Sequence, residues 1–158
     1  MMQKYDARFL NDIAAAASAS GDVAARAKRV AEMIRDACGC FWVGVFEISE
    51  NEACALAWTG SEAPAFLHFP LTRGITRDVV KTRRAAVVND VTKDARYLVA
   101  FSATRAEVIT PVTDASGNVV GTIEADANKA DAFSDTDVQF LDQCAARVAP
   151  LFEKRASR

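Results

Sequence analysis

Apolar positions at the start of the chain recur at helical spacing. Tyr5 to about Ala17 is alanine-rich, with Phe9, Leu10, Ile13 and Ala14 on one side, and predicts a helix. Ser18-Ala-Ser-Gly-Asp22 breaks that pattern and supplies an N-cap for a second helix. In it Val23, Ala27, Val30, Ala31 and Ile34 form one apolar stripe, and Gly39 marks a stop near Ala37. The period then changes to two. Phe41 to Ile48 predicts a strand, Ser49 to Glu52 a turn, and Ala53 to Trp58 its partner. A short strand over His68 to Leu71, a short helix over 75–82 and a strand over Ala86 to Val88 follow. Asn89 to Ala103 reads as a long connection, the kind that is often functional. Ala106 to Val112 and Val119 to Ala125 flank Asp114-Ala-Ser-Gly-Asn118 and predict a hairpin. A closing helix over 134–154 turns Val138, Leu141, Ala145, Val148 and Phe152 inward, with Ser134 and Asp137 as its cap. Pro150 removes a backbone donor and is expected to loosen its last turn.

The order predicts an α+β fold: a central five- or six-stranded, mostly antiparallel sheet with the terminal helices on one face and loops on the other. Residues 1–38 supply the N-terminal helices, 41–126 the sheet and loops, and 1–158 a single domain. With 51% hydrophobic and 25% charged residues the chain has ordinary globular usage, which excludes a disordered protein. A net charge of −2 provides no general field for nucleic acid or an anionic membrane. No apolar run approaches the ~20 residues of a membrane span, and the N-terminus lacks a secretory h-region, so a cytoplasmic location is expected. Cys38, Cys40, Cys54 and Cys144 form no C-x-x-C pair and are read as reduced, mostly buried thiols. With His68 as the lone histidine, no metal site and no cofactor are expected.

Four strings carry a resemblance. They are Phe41-Trp42-Val43-Gly44-Val45-Phe46, Phe69-Pro70-Leu71-Thr72-Arg73-Gly74-Ile75, Ser102-Ala103-Thr104-Arg105-Ala106-Glu107-Val108-Ile109-Thr110-Pro111 and Gly121-Thr122-Ile123-Glu124-Ala125-Asp126. In order and spacing they resemble GAF domains of the free methionine-(R)-sulfoxide reductase type. The resemblance implies a GAF-like fold whose pocket is lined at Trp42, Phe46, Phe66, Thr76, Ala100, Glu107, Glu124 and Asp126. It also exposes a departure. The positions of the reductase cysteines hold Phe66, Thr76 and Ala100, and a threonine hydroxyl is neither soft nor ionised near neutral pH. No catalytic residue is therefore assigned.

The resemblance places the substrate's ammonium group among acids at Glu107, Glu124 and Asp126, beside Trp42. Glu124 and Asp126, two apart on one strand, share a face of the sheet; the side taken by Glu107 depends on the hairpin register. Converging buried carboxylates demand a cation, and an indole face adds ~1 kcal/mol of cation–π attraction. The blander reading is that the acids solvate a sheet edge and Trp42 is ordinary core. The leading expectation is a sensory, small-molecule-binding domain for an amine or amino-acid-like compound, pairing as a homodimer through its terminal helices.

Three alternatives remain open. The first is a dimerisation module with a filled or vestigial pocket, where Phe66 fills the cavity; an open space of ~300 Å³ or more would favour the sensor. The second is a reductase using other cysteines. The third is a cyclic-nucleotide GAF domain, since Asn128-Lys129 precedes Phe133-Ser-Asp-Thr-Asp137, although Val138 replaces the final Glu of that signature and the acids suit phosphate poorly. Arg73 is expected to hold its turn through backbone carbonyls and Arg105 to pair with a pocket acid. Lys81, Arg83 and Arg84 read as a solvated cluster.

Overall fold

Asp6 opens the first helix by accepting from Phe9 N at 2.8 Å, and α1 runs Ala7–Ser18. Asp22 caps α2 (Val23–Cys38) in the same way, and Gly39 ends it in the left-handed conformation, φ 68°, returning its N–H to Arg35 O. The structure, a computed structural model, describes residues 5–153. The ends of the ranges proposed above, 1–4 and 154–158, lie outside the described residues.

The strands are β1 (Trp42–Ile48), β2 (Glu52–Gly60), β3 (His68–Pro70), β4 (Ala86–Val88), β5 (Ala106–Thr113) and β6 (Val119–Ala127). They form one six-stranded sheet in the order β3-β2-β1-β6-β5-β4, and every pairing is antiparallel. On one face, Val43 and Val45 of β1, Val108 of β5 and Ile123 and Ala125 of β6 join a core with α1, α2 and the closing helix. Burial of such side chains, ~1.5–3 kcal/mol each, dominates the stability of this layer. The other face carries α3 (Ile75–Thr82) and the loops.

The closing helix differs from its expected length. Ser134 and Asp137 form the predicted capping box, but α4 spans only Asp135–Ala145. After a break the chain resumes as a 3-10 turn over Ala149–Phe152, with Pro150 in its first positions. Proline cannot donate to the preceding turn, so the helix ends well before it. Leu141, Ala145 and Val148 still reach the core, while Phe152 covers Gly121, where an added Cβ would lie 2.3 Å from its ring. Val138 is only half-buried.

The cysteine expectation also needs correction. Cys38 and Cys40 are joined by a disulfide. Gly39, turning back in the left-handed region, brings their Cα atoms to 5.4 Å, within bridging range. Cys54 and Cys144 are free. The disulfide removes the thiol-based argument for a reducing compartment. Among the described residues no helix is long and apolar enough to cross a membrane.

Candidate functional site

The hairpin register settles which way the acids face. Glu107 of β5 stands directly opposite Asp126 of β6, and Asp126 directly opposite Trp42 of β1. Glu124 pairs with Ile109 on one side and Gly44 on the other. Side chains paired in this way lie on one face, so three carboxylates and an indole are brought together on the face away from the helix layer. Glycine is required here. A Cβ on Gly44 would fall 2.3 Å from Trp42 Cη2 and 2.9 Å from Phe46 Cε2, so the bare backbone of β1 gives the indole its seat. Gly60, opposite Trp42 on β2, plays the same part, 2.6 Å from Trp42 Cδ1.

All eight expected residues line one cavity. Trp42 and Phe46 form its floor, packed with Phe69 of β3 and Phe101. Phe66 stands at the rim, 47% exposed, so its ring does not plug the space; Pro64, which is buried, also lines the cavity. Thr76, second residue of α3, and Ala100 of the loop before β5 supply the walls. Counted out to its mouth the cavity has ≈490 Å³ of empty space, but the centre of a water molecule can occupy only ≈50 Å³ of it. That is room for a few waters, well short of the ~300 Å³ of enclosed space that would favour the sensor. The pocket is open but tight, and a larger ligand requires the rim to move.

The acids do not solvate an edge: Glu107, Glu124 and Asp126 are 8%, 7% and 1% exposed. Thr76 Oγ1 donates to Glu124 Oε1 at 3.0 Å, and Thr104 Oγ1 to Asp126 Oδ2 at 2.7 Å. Asp126 Oδ1 and Trp42 Nε1 are buried with no hydrogen-bond partner among the described residues. Burial, reinforced by Asp126 and then Glu124, holds the Glu107 carboxyl well above the usual range. Burial, together with the Asp126 charge, pushes Glu124 up to about 8, against the lowering effect of the Thr76 hydroxyl. Burial likewise raises Asp126 to about 7, opposed by Thr104. Water is too scarce and like charge too near for all three to ionise together.

The loop that closes the cavity is tied down by charge. Arg96 donates through Nη2 to Asp94 Oδ2 at 2.7 Å and through Nη1 to Asp78 Oδ2 of α3 at 3.0 Å. Its guanidinium holds both carboxyls below their ordinary range. Asn89 fixes the same loop to the start of α4, donating to Phe133 O at 3.0 Å and accepting from Phe133 N at 3.1 Å. Leu98 and Ala100 are thereby carried to the pocket. Burial also raises the Tyr97 phenol, with Asp126 and Glu107 adding to the effect.

Several expectations fail here. Arg105 does not reach an acid; its Nη1 donates to Ser102 O and Thr104 O at 2.8 and 2.9 Å. Arg73 is exposed, and the guanidinium that holds this turn is that of Arg77, donating to Thr72 O at 3.1 Å. Ser134 and Asp137, by contrast, cap the helix as expected: Phe133 before them is buried in the helix-side core, and Asp137 closes the capping box and accepts from the Tyr5 hydroxyl. Thr104, Leu98, Phe69 and Ile109 are site residues that the sequence reading missed. Ile109 was within reach, since it lies two residues beyond Glu107 on the same strand; Thr104 and Leu98 sit in irregular chain, where no periodicity points anywhere.

With this geometry, comparison with known proteins identifies the class: the chain belongs to the GAF domain family, whose profile matches residues 6–153. It is similar to GAF domain-containing protein A of Dictyostelium discoideum, 26% identical over 104 residues, or 65% of this chain and 64% of that protein. The chain thus spans a little under two-thirds of that curated relative. Among solved structures it is similar to the free methionine-R-sulfoxide reductase of Neisseria meningitidis in complex with its substrate, with TM-score 0.81 and 24% identity over 91% of this chain and 86% of that one. The reduced Staphylococcus aureus reductase gives TM-score 0.78 at 21% identity, covering 92% and 94% of the two chains. The GAF domain of an Acinetobacter phosphoenolpyruvate-protein phosphotransferase gives 0.80 at 15% identity, covering 92% and 90%. At these identities the likeness establishes the fold.

Proposed function

We propose that this GAF domain is a non-catalytic receptor for a small amine or amino-acid-like compound, bound among Glu107, Glu124 and Asp126 over Trp42. The observation that carries the reading is the burial of three carboxylates side by side on one sheet face. A primary ammonium offers three donors and the positive charge such a site lacks. Asp126 Oδ1 awaits a donor and Trp42 Nε1 an acceptor, which favours a ligand bearing both, as a zwitterionic amino acid does. No cysteine is among the pocket-lining residues. Cys54 lies between Ala53 and Ala55, which pack with the pocket aromatics, so it faces the opposite side of β2. Cys144 is buried in the helix-side core, where its thiol is pushed up to about 12, far from a usable thiolate.

A second reading, a dimerising scaffold with a vestigial pocket, draws support from the tightness of the cavity. Pairing through the terminal helices fits either reading. Thermal shift against free amino acids, methionine sulfoxides, polyamines and cyclic nucleotides separates them. A ligand at ~100-fold over its Kd stabilises by roughly 2.7 kcal/mol, or ~5–10 °C for a chain of this size. Glu124→Gln should remove most of that response. If no amine shifts the melting temperature, the receptor reading fails and the scaffold stands. Turnover of methionine sulfoxide that disappears on replacing any one cysteine by serine would make the protein an enzyme.

A further inference from the structure

The reverse face of the sheet edge holds a second cluster with different chemistry. Cys54 of β2 stands directly opposite His68 of β3, and Glu52 lies two residues from Cys54 on the same face. His68 Nε2 is 2.8 Å from Glu52 Oε2, and one donor atom from each of the three residues falls within 4.8 Å of the others. Cys54 is outside the disulfide and half-buried; the other two are exposed. A thiolate, an imidazole and a carboxylate are the sulfur, nitrogen and oxygen donors that zinc accepts in tetrahedral sites. The sulfur and nitrogen donors disfavour magnesium and calcium, which select oxygen. Both strands are hydrogen-bonded, so the donors start near one another at little cost in backbone order.

We infer that Glu52, Cys54 and His68 form a binding site for a divalent transition metal ion of the zinc type, with its fourth position open to solvent. Binding exchanges the Cys54 thiol proton for the metal. The position gives the ion leverage. β3 is three residues long, and its central Phe69 points through to the other face, packing on Phe46 at a ring distance of 5.7 Å. Phe66, at the pocket rim, lies two residues before His68. An ion bridging β2 and β3 therefore fastens the wall that must shift to admit a larger ligand. The lone histidine of the sequence argued against a metal site; the cross-strand pairing is what supplies its partners.

Cobalt(II) is the probe, titrated into the full chain with the disulfide intact and no reductant present. One equivalent should produce a thiolate-to-cobalt charge-transfer band with tetrahedral d–d absorption, and zinc should displace it stoichiometrically, since zinc binds such donors more tightly. Cys54→Ser should abolish the band. His68→Gln should weaken binding by more than the roughly 10–100-fold typical of outer-shell changes. The double variant Cys38→Ser/Cys40→Ser should leave it intact. No charge-transfer band at several equivalents of cobalt, or a band that survives Cys54→Ser, overturns the site. These outcomes are independent of any ligand in the carboxylate pocket.

Discussion

Two threonine hydroxyls serve the carboxylates of the pocket, Thr76 to Glu124 and Thr104 to Asp126. Thr104 matters more, because the other oxygen of Asp126 already lacks a partner. Thr104→Val therefore leaves a buried carboxyl group with neither oxygen served, which should destabilise by ~1–3 kcal/mol. Urea denaturation should show a lower midpoint with an unchanged slope. The same change should raise the Asp126 carboxyl further above about 7, because the lost hydroxyl favoured its charged form. A midpoint within error of the parent would mean that Thr104 does not support Asp126. Nothing local could have disclosed this role. Thr104 precedes the strand, so its partner is set by how the long loop is clamped through Arg96 and Asn89.

At the level of the element, β1 is the strand on which the site depends. Its alternation puts Val43 and Val45 into the helix-side core and Trp42 and Phe46 under the pocket, with Gly44 between the aromatics. Gly44→Ala inserts a methyl group into an occupied space, and such overpacking typically costs ~1–3 kcal/mol. The expected result is a lower melting temperature together with loss of any amine-induced shift, because the indole cannot keep its place. An unchanged response to ligand would show that the indole seat is not needed. Much of this element was legible. A period-two run, a hairpin turn and capped amphipathic helices are local patterns, and the helices and strands follow them closely. What escaped was non-local. The rim position of Phe66, the cross-strand neighbours of Cys54 and the disulfide through Gly39 depend on distances that one-dimensional spacing does not encode. The early end of α4 belongs to a middle case: Pro150 announced a disturbance, and its extent became visible only with the packing of Phe152 over Gly121.

For the whole molecule, the raised carboxyls link stability to pH. Glu124, at about 8, and Asp126, at about 7, hold protons that the unfolded chain has released from ordinary carboxyls. Between about pH 4.5 and 8 the native state therefore binds more protons, and its stability falls as pH rises. One unit of net shift corresponds to 1.36 kcal/mol, or ~3–5 °C for a chain of this size. The ligand-free protein should melt several degrees lower at pH 8 than at pH 5, and Glu124→Gln should flatten that slope. A flat profile in the parent would show that the acids are hydrated or internally compensated. An ammonium ligand inverts the trend, since it favours the charged forms; its affinity should climb across the same interval with protons released on binding.

β6 joins this chemistry to the rest of the fold. Glu124 and Asp126 face the cavity, while Ile123 and Ala125, their immediate neighbours in the chain, are packed in the helix layer. No intermediary side chain separates the two compartments. A ligand that draws the two acids inward pulls on the same backbone that seats the rear residues against the helices. The strand acts as a single-plate diaphragm: charge registered on one surface reaches the other through one layer of backbone.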